Sequence, residues 1–346
     1  MNIAVALSGG IDSACSALLL KKAGYDVIGL HMKLMPGREL DSWSKAKSVA
    51  SCIDIPLHLV DLTTSFQKLI VDYFVSEYAA GRTPSPCPRC NQKIKMTLLL
   101  EHALALGADR LATGHYARIL NRADGFHLLK GVDSSKDQSY FLFMLSQDIL
   151  SNMCFPLGEL TKSDVRNIVK EYDLPVIFSQ ESQELCFIPN AMYTDFLVEH
   201  GVQAKQGVIV DTNGRAVGKH KGVIFYTVGQ RRGLGVCGPE PYYVVEIDPV
   251  GNEIVIGNKN ETLVSGILIN QLNFISGSYL PKKTKFSIKV RSTSKEIRCT
   301  VEKINRSDVK IHFEKPQSGV APGQAAVIYD GEEVIGGGWI QQSLRY

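Results

Sequence analysis

Residues 3–13 have the sequence IAVALSGGIDS, an apolar run that opens directly into small and polar residues. The run Ile3 to Leu7 predicts a buried strand, and Ala14 to Lys22, followed by Gly24, predicts a helix with its stop signal. The turn between them has no bulky side chain, so backbone N–H groups can surround an anion at the helix N-terminus. We therefore expect a phosphate-binding turn here, the alternative being a purely structural strand–turn–helix corner.

The first 115 residues alternate apolar runs with amphipathic helical patterns. The predicted strands are Ile3 to Leu7, Val27 to Met32, Leu57 to Val60 and Arg110 to Gly114, and the further predicted helices are Trp43 to Ile53, Phe66 to Ala80 and Ile94 to Leu106. Strands separated by helices predict right-handed βαβ units and a parallel sheet. Ligands of such sheets bind beyond the carboxyl ends of the strands, where Ser8–Ser13, Met32 and Gly114 fall.

The pattern changes along the rest of the chain. Between Asp133 and Asn190 we expect helices from Tyr140 to Leu150 and from Lys162 to Tyr172, then an irregular stretch. After about Gly201, a hairpin is predicted around Asn213-Gly214. Three alternating runs at about ten-residue spacing predict antiparallel strands of a small sandwich or barrel: residues 286–290, 297–301 and 309–313.

Composition limits the class of protein. The 346 residues, 45% of them hydrophobic, suffice for two or three domains with cores of their own. No apolar run approaches the roughly 20 residues that span a bilayer, and the N-terminus lacks a signal-peptide pattern, so we expect a cytoplasmic protein with reduced cysteines and no membrane partner. Residues 270–346 hold 12 Lys and Arg against 7 Asp and Glu, an excess of five positive charges that hints at a polyanionic partner.

A second chemical signal is the segment GRTPSPCPRCN at positions 81–91. Its three prolines predict a stiff extended loop that cannot join a helix, with a helix beginning near Asn91. The helix dipole and Arg89 would then lower the pKa of the Cys90 thiol, as a nucleophile or a metal ligand requires. A structural thiol or half of a zinc site are the alternatives.

The other cysteines give weaker signals. Cys186, flanked by bulky apolar residues, would by itself be interpreted as a core cysteine. The remaining five cysteines stand in apolar patterns, without a chemical signature: Cys15, Cys52, Cys154, Cys237 and Cys299.

Six motifs in one order resemble a known family. They are SGGIDS (8–13), GRTPxPxxxCNxxIK (81–95), TGHYAR (113–118), KDQSYFL (136–142), LCFI (185–188) and YTVGQRRGLG (226–235). The first resembles the PP-loop of N-type ATP pyrophosphatases and lacks the lysine of a Walker A loop. Together they are similar to the tRNA-uridine 2-sulfurtransferases, also called tRNA-specific 2-thiouridylases or the MnmA family, from Ile3 to about Trp339.

The resemblance implies an α/β fold with three domains. A parallel-sheet PP-loop domain, of the adenine nucleotide alpha hydrolase-like type, would occupy residues 1–200. A small central β-rich adaptor would follow at 201–265, and a C-terminal β-barrel that binds tRNA at 266–346.

The resemblance also implies the chemistry. ATP, with Mg²⁺, would adenylate O2 of the wobble uridine, U34, of a tRNA, and a cysteine persulfide would then deliver sulfur while AMP leaves. Cys90 becomes the nucleophile and Cys186 the persulfide carrier, and the two would end as a disulfide bond. The sulfur would come from a cysteine desulfurase or a sulfur-relay protein.

Further residues take roles by the same resemblance. The ATP residues are Ala6, Leu7, Ser8, Gly9, Gly10, Ile11, Asp12, Ser13, Met32 and Gly114. The tRNA residues are Ser85, Pro86 and Cys87 at the target base, together with His115, Lys136, Asp137, Gln138, Arg291, Ser292 and Gln324. Asp12 either fixes the loop or helps to hold Mg²⁺, and His115 is a tRNA contact, a general acid/base or a helix cap.

The chain departs from the common family pattern at two positions. Cys87 stands where members often have Asp, and Ser85 where they often have Asn, so the role of that Asp is in doubt here. Cys87, Cys90 and Cys186 could together ligate a [4Fe–4S] cluster with one open iron, or sulfur could pass as a persulfide without a cluster. The sequence leaves both routes open.

Three other functions compete with this interpretation. One is another ATP pyrophosphatase that modifies RNA or a small molecule. The second is a non-enzymatic RNA- or nucleotide-binding protein that keeps the loop without turnover. The third is a thiol oxidoreductase that uses Cys87 and Cys90, which would leave the SGGIDS turn without a use.

Overall fold

A computed structural model describes residues 1–346 except 38, 177–184, 189–191, 277–284, 306 and 346. The described strands are β1 Asn2–Ala6, β2 Asp26–Lys33, β3 Leu57–Asp61, β4 Arg110–Ala112, β5 Ala117–Arg122, β6 Gly125–Lys130, β7 Met153–Cys154, β8 Gly207–Asp211, β9 Ala216–His220, β10 Tyr243–Asp248, β11 Glu253–Gly257, β12 Val264–Phe274, β13 Lys285–Lys289, β14 Ile297–Lys303, β15 Val309–Gln317, β16 Ala325–Asp330 and β17 Glu333–Leu344.

The helices lie mostly in the first half of the chain. The α-helices are α1 Ile11–Lys22, α2 Glu39–Cys52, α3 Thr63–Phe66, α4 Asp72–Ala79, α5 Pro86–Cys90, α6 Leu100–Ala105, α7 Gln147–Ser151, α8 Lys162–Glu171 and α9 Tyr193–Glu199. π-helical segments, Gln67–Val71 and Asn91–Leu99, join α3 to α4 and α5 to α6. Short 3₁₀ turns cover Ser139–Leu142, Val223–Phe225 and Asn260–Thr262.

The first sheet has the strand order β3-β2-β1-β4-β7, and all of its pairings are parallel. The central strand β1 is buried at Ile3, Ala4 and Val5, because helices cover both faces of the sheet. The predicted parallel α/β domain is therefore confirmed. The carboxyl ends of β1, β2 and β4 meet at one edge, where the phosphate-binding turn begins.

One predicted helix of this region is wrong. Residues 140–150 form a 3₁₀ turn and then α7, instead of one continuous helix. The break occurs at Ser146, whose extended backbone and hydroxyl cap a new helix by accepting a hydrogen bond from Ile149 N at 3.4 Å. The apolar residues on both sides of the break pack against the same hydrophobic core, so their spacing in the sequence resembles that of one continuous helix.

The C-terminal strands form a closed barrel. Its strand order is β12-β15-β14-β13-β16-β17, and β12 pairs with β17 to complete the ring. The three predicted antiparallel strands are confirmed as β13, β14 and β15. The β5–β6 hairpin, which the sequence reasoning missed, extends this sheet through β17, although it lies between β4 and β7 in the chain. The first domain and the barrel are thus joined by main-chain hydrogen bonds.

A small four-stranded sheet, ordered β10-β11-β8-β9, lies between these two units in the chain. The predicted hairpin is confirmed as β8–β9, with Gly214 at a φ of 80° in its turn. The largest hydrophobic core takes side chains from all three units, among them Phe74, Ile224 and Trp339. Among the described residues, no helix is long and apolar enough to cross a membrane.

Candidate active site

The turn between β1 and α1 forms a small hydrogen-bonded cradle. The Ser13 hydroxyl donates to Gly10 O at 2.9 Å and accepts a bond from Ser8 N at 3.2 Å. The Ser8 and Ser13 hydroxyl oxygens lie 3.1 Å apart. These bonds hold the first turn of α1 at the carboxyl end of a central strand, where backbone N–H groups and the helix dipole favour an anion.

The two glycines of this turn have different surroundings. Gly9 has a φ of 81°, and a Cβ there would lie 2.6 Å from Lys45 Cβ and 2.8 Å from Ala46 N of α2. Gly10 is exposed, with a backbone that any residue can adopt, and a Cβ there would meet only the Ser8 hydroxyl at 3.5 Å. A glycine at position 9 is therefore required for the turn to pack against α2, whereas Gly10 leaves open space in which a ligand can bind.

Asp12 is held by a lysine that sequence reasoning missed. Lys162 Nζ lies 2.7 and 2.8 Å from the two Asp12 carboxylate oxygens, and the Tyr116 hydroxyl donates to the same carboxylate at 2.8 Å. Lys162 is buried at the first position of α8. A lysine at a helix N-terminus is electrostatically unfavourable, and this was the available signal that it has another task.

Gly114 belongs to the same contact. A Cβ at this position would lie 2.9 Å from the Asp12 carbonyl carbon. The lack of a side chain lets the end of β4 approach the start of α1, which is a packing reason for a glycine at a position predicted to contact ATP. Of the two roles considered for Asp12, the ion pair with Lys162 favours fixing the loop.

A cavity of about 410 Å³ opens beside this turn. The phosphate turn contributes Ala6, Leu7 and Ser8, and the end of β2 and the following loop contribute His31, Met32, Leu34 and Met35. Cys186 and Phe187 also line the cavity. Predicted nucleotide residues and a predicted catalytic cysteine therefore share one cavity. Its walls are mostly apolar, which suits a purine ring.

His31 has one defined tautomer in this wall. Its Nδ1 lies 2.8 Å from Leu7 O, which can only accept, so the ring nitrogen donates. Burial lowers the pKa of His31, so Nε2, 3.2 Å from the Ser42 hydroxyl, is the acceptor of that pair. The imidazole thus ties the β2 wall of the cavity to the strand that carries the phosphate turn.

The cysteine segment differs from the prediction. Helix α5 begins at Pro86 and includes Pro88, so the proline-rich stretch does join a helix. Prolines are tolerated in a first turn because the N–H groups that they lack have no helical partner there. Cys87 and Cys90 consequently lie one turn apart on a single helix, with Cys87 exposed and Cys90 buried.

The expected activation of Cys90 by Arg89 is also wrong. Arg89 Nε donates to Leu69 O at 3.0 Å, and its guanidinium lies over the Tyr73 ring at 4.4 Å. Burial instead raises the pKa of Cys90 to about 12, against an opposing effect of Lys95. Cys87 and Cys186 each have an exposed surface, but the dense protein around them removes enough water to raise the pKa of both thiols, and Lys95 opposes that rise in both.

Cys186 is exposed, although its flanking residues alone favoured a core position. Phe187 and Ile188 take the core instead, and Phe187 packs edge-on against Phe66 and Phe74. The charge of Cys186 raises the pKa of Cys90, so the two thiols belong to one electrostatic site. All eight cysteines are free.

A metal centre has no assembled ligand set in the described part of the chain. No group of three or more His, Cys, Asp or Glu side chains there is placed to hold a metal ion. Cys87, Cys90 and Cys186 are all described residues, so this holds for the three thiols predicted as cluster ligands. Both Asp12 oxygens are engaged by Lys162, which leaves that carboxylate paired.

Several predicted tRNA residues have structural partners. Gln324 donates to Thr83 O at 2.9 Å and Pro84 O at 3.2 Å, so a barrel residue holds the strand of chain that leads to Ser85 and α5. The Asp137 carboxylate, whose side chain is 4% exposed, accepts bonds from Gly131 N and from Ser139. These contacts position loops around the site.

His115 and Gln138 are similarly engaged. His115 Nδ1 lies 2.7 Å from the Thr113 hydroxyl, and burial, followed by the charge of Lys95, lowers its pKa well below 6.5. A neutral, buried imidazole offers no charge to a tRNA phosphate. Gln138 Oε1 accepts a bond from Tyr116 N at 3.0 Å and so fixes the segment that holds His115.

Arg291 and Ser292 lie at a basic surface of the barrel. A cavity of about 440 Å³ there is lined by Arg291, Lys295, Arg298 and Lys315, with Glu296 and Glu314 at its side. Arg291 is half-buried and donates to Val228 O at 3.3 Å, while Ser292 is exposed. Lys136 lies elsewhere, half-buried in the turn that begins at Asp133.

Comparison with known proteins adds family information. Three family models match: "tRNA methyl transferase HUP domain" at residues 1–190, "tRNA methyl transferase PRC-barrel domain" at 194–258 and "Aminomethyltransferase beta-barrel domain" at 264–340. Similar curated proteins carry a different description. The tRNA-specific 2-thiouridylase MnmA of Geobacter metallireducens is 44% identical over 99% of this chain and 97% of its own length.

Other relatives agree with it. The protein of the same description from Nostoc sp. is 42% identical over 99% of both chains. Among solved structures, a 4-thiouridine synthetase in complex with RNA and ATP matches 57% of this chain and 50% of its own, at 17% identity and a TM-score of 0.37. An NH3-dependent NAD synthetase from Campylobacter jejuni covers 50% of this chain and 64% of its own, at 18% identity and a TM-score of 0.31.

Proposed function

The chain belongs to the tRNA-specific 2-thiouridylase family, and on that premise we propose that it catalyses ATP-dependent 2-thiolation of the wobble uridine of tRNA. The observation that carries this proposal is the cavity of about 410 Å³, which phosphate-turn residues and Cys186 line together. The base must be activated by ATP and then attacked by sulfur at the same carbon, so the phosphate-binding turn and the sulfur-carrying cysteine must lie close together. The family models named for methyl transfer leave the cysteine pair without a role.

The proposed reaction has three displacements. O2 of the uracil attacks the α-phosphorus of ATP, and pyrophosphate leaves from the β1–α1 turn. The terminal sulfur of a Cys186 persulfide then attacks C2, and AMP leaves with the oxygen. Attack of the Cys90 thiolate on Cys186 Sγ releases the sulfur to the base and leaves a Cys90–Cys186 disulfide, which a thiol reductant must reopen.

The chain's own residues orient these steps. The N–H groups at the start of α1 bind the phosphates, and the Asp12–Lys162 pair holds that turn against α8. His31 and Met32 form part of the wall for the adenine. Burial of Cys90 keeps water from the thiol, at the cost of a raised pKa.

The cofactor set is ATP with Mg²⁺. Because the Asp12 carboxylate is paired with Lys162, we propose that the ion would be held by the phosphate oxygens of ATP together with waters, several of which Mg²⁺ usually keeps. The three thiols do not form a ligand set, so we route no step through an iron–sulfur cluster. Iron and sulfide assays on protein purified without oxygen test that choice, and a brown protein with about four irons would overturn it.

The partners follow from the chemistry. We propose that the basic surface around Arg291 and Ser292 binds tRNA, and that the target base enters at Ser85, Pro86 and Cys87. A cysteine desulfurase or a sulfur-relay protein would load Cys186, which is exposed. We place the reaction in the cytoplasm, with its tRNA substrate, and propose the domain limits 1–200, 201–265 and 266–346.

The test separates activation from sulfur transfer. Unmodified tRNA, ATP and a sulfur donor are mixed with wild type, Cys90→Ser and Cys186→Ser, and 2-thiouridine is measured in tRNA digests. Both variants should make none, while Cys186→Ser should release pyrophosphate and accumulate adenylated tRNA. Cys52→Ser is the matched control, since Cys52 is an exposed cysteine outside the site.

The same assay decides against the competing functions. Thiolation at the wild-type rate by Cys186→Ser would exclude it as sulfur carrier. A wild-type protein that releases no pyrophosphate with tRNA would be a binding protein, and one that reduces disulfides without ATP would be an oxidoreductase.

A further inference from the structure

The helix that follows Cys90 is wound unusually. Residues Asn91–Leu99 form a π-helix of nine residues between α5 and α6. In such a helix, hydrogen bonds join residues five apart, and the Thr97 hydroxyl repeats this spacing by donating to Gln92 O at 2.7 Å. π-helical turns are rare in proteins, and those that do occur are often found at functional sites. The π-helix after Cys90 therefore suggests a functional role for this segment.

The winding is held in place by the neighbouring chain. The Asn91 amide donates to Phe141 O at 3.1 Å, and the Gln92 amide donates to Met144 O at 3.2 Å. Both acceptors lie in the segment that follows the predicted tRNA loop. The first turn of the π-helix is therefore tied to its surroundings directly after Cys90.

The consequence concerns Lys95, which lies five residues after Cys90. A π-turn brings the fifth residue back above the first, whereas an α-turn would carry it well past that face. Cys87 lies one α-turn before Cys90, so the two thiols and the lysine come to one side of a continuous helix. Lys95 is half-buried there, while Lys93, two residues earlier, is exposed.

We propose that Lys95 is the cation that sets the reactivity of the site's cysteines, and that the π-helical turn exists to bring its ammonium group to them. It acts through the thiols and is in that sense a positioning residue. The proposal does not rest on the proposed tRNA function, because it concerns thiol reactivity alone.

The charges around the thiols support this assignment. Loss of hydration within the surrounding protein raises the pKa of Cys87, Cys90 and Cys186, and Lys95 is the charge that lowers it in all three. Cys186 also disfavours the ionisation of Cys87 and of Cys90, and Cys87 disfavours that of Cys90, so one cation that acts on all three thiols favours the ionised form of each.

Two further titratable groups interact with this place. His115 is kept neutral by burial and by Lys95. Burial raises the pKa of Tyr140, which the charge of Cys87 raises further and Arg291 opposes.

Other cations of the segment are directed elsewhere. Arg89, on the same helix as both cysteines, is bonded to Leu69 O and lies over Tyr73. Within the described residues, Lys95 forms no ion pair with a carboxylate. Its charge is thus available to the thiolates, which are the reactive form of cysteine.

The experiment measures the pH dependence of alkylation by iodoacetamide, followed by mass spectrometry for each cysteine. Wild type, Lys95→Met, Lys95→Arg and Lys93→Met are compared as the full chain. For Cys87 and Cys186, Lys95→Met should lower the rate near pH 8 by about threefold to tenfold and move the midpoint to higher pH, the effect of a pKa change of about one unit. Lys95→Arg should restore the wild-type profile, and Lys93→Met should not change it.

Two internal readouts separate charge from structure. Cys52, exposed and outside the site, should react at one rate in all four proteins. If Lys95 only supported the helix, its loss would change access and scale the rates without moving the midpoint. An unshifted midpoint in Lys95→Met, with an unchanged thermal unfolding temperature, would overturn the proposal.

Discussion

The two adjacent glycines of the phosphate turn differ at the level of single atoms. A Cβ on Gly9 would collide with the backbone of α2, whereas a Cβ on Gly10 would find ordinary contact distances. The two glycines therefore have different roles, one in packing and one in leaving space for a ligand, and only their surroundings in the folded protein distinguish them. Asp12 and Lys162 make the same point, since their ion pair joins residues 150 positions apart.

This contrast gives a prediction for ATP binding. Gly10→Val should fold with a thermal unfolding temperature close to that of wild type, because its Cβ meets nothing closer than 3.5 Å. Its methyl groups would occupy the open side of the turn, so ATP affinity should fall by about a hundredfold or more, and pyrophosphate release with it. Calorimetric titration with ATP measures the affinity.

Gly9→Val is the matched comparison. It should lower the free energy of unfolding by about 2 kcal/mol or more, because a β-branched residue at positive φ is strained and its Cβ overlaps Lys45 and Ala46. Undiminished ATP binding by Gly10→Val would show that the nucleotide binds elsewhere.

Among the helices and strands, predictability follows the range of the interactions involved. The strands β1, β2 and β3 and helix α8 were predictable because burial of one face imposes a local period. Helix α5 was not, because the rule that excludes proline from helices does not hold in a first turn. The π-helix after Cys90 leaves no local pattern, and the pairing of β6 with β17 joins segments about 200 residues apart.

The site divides in the same way. The phosphate turn and the cysteines were recognisable, because their chemistry requires particular residue types. The tasks of Lys162, Lys95 and Gln324 were not, since each depends on a partner brought near by the fold. Gln324 illustrates the limit: its type fits a tRNA contact, yet its amide holds the loop before the cysteines.

The β5–β6 hairpin carries a pH-dependent contact with the barrel. His127 Nδ1 lies 2.6 Å from the Glu333 carboxylate, and Nε2 lies 3.0 Å from Asp124. Burial alone would lower the pKa of His127, but the hydrogen bonds to Glu333 and Asp124 raise it above its ordinary value of 6.5. The folded protein therefore binds this proton more tightly than the unfolded chain does.

The sign of the stability effect follows. The contribution is complete below about pH 6.5 and is lost as the pH rises through the raised pKa of the folded state. In urea titrations, the free energy of unfolding should decrease over that window in wild type and less steeply in His127→Gln. His102→Gln, which changes an exposed histidine of α6, should keep the wild-type slope, and equal slopes in all three proteins would contradict the prediction.

At the scale of the whole molecule, the barrel is part of the structure that holds the site. Trp339 packs against Tyr73 and Phe143, and the Tyr140 hydroxyl donates to Ala325 O at 2.8 Å. The Lys130–Glu296 and Arg118–Glu332 ion pairs add to this interface. An amino-terminal domain that acts alone, with a detachable tRNA platform, does not fit these contacts.

We therefore predict that the chain ending at residue 265 will not fold cooperatively. Loss of the barrel would expose the large aromatic core around Tyr140 and Phe143 and would leave β6 without its partner β17. It would also release the loop that Gln324 holds. Size-exclusion chromatography and urea unfolding should find an aggregated or molten protein without measurable ATP affinity.

Point changes on the barrel surface test its tRNA role without that damage. Lys295 and Arg298 are exposed at the basic cavity, so Lys295→Ala and Arg298→Ala should leave folding and ATP affinity unchanged. Each should weaken tRNA binding and reduce the slope of log affinity against log salt by about one, because one phosphate contact is lost.

The truncation and the point variants together decide whether the barrel shapes the catalytic site. A truncated chain that unfolds cooperatively and binds ATP like the full chain would contradict the truncation prediction. The barrel would then bind tRNA as an independent domain without shaping the catalytic site.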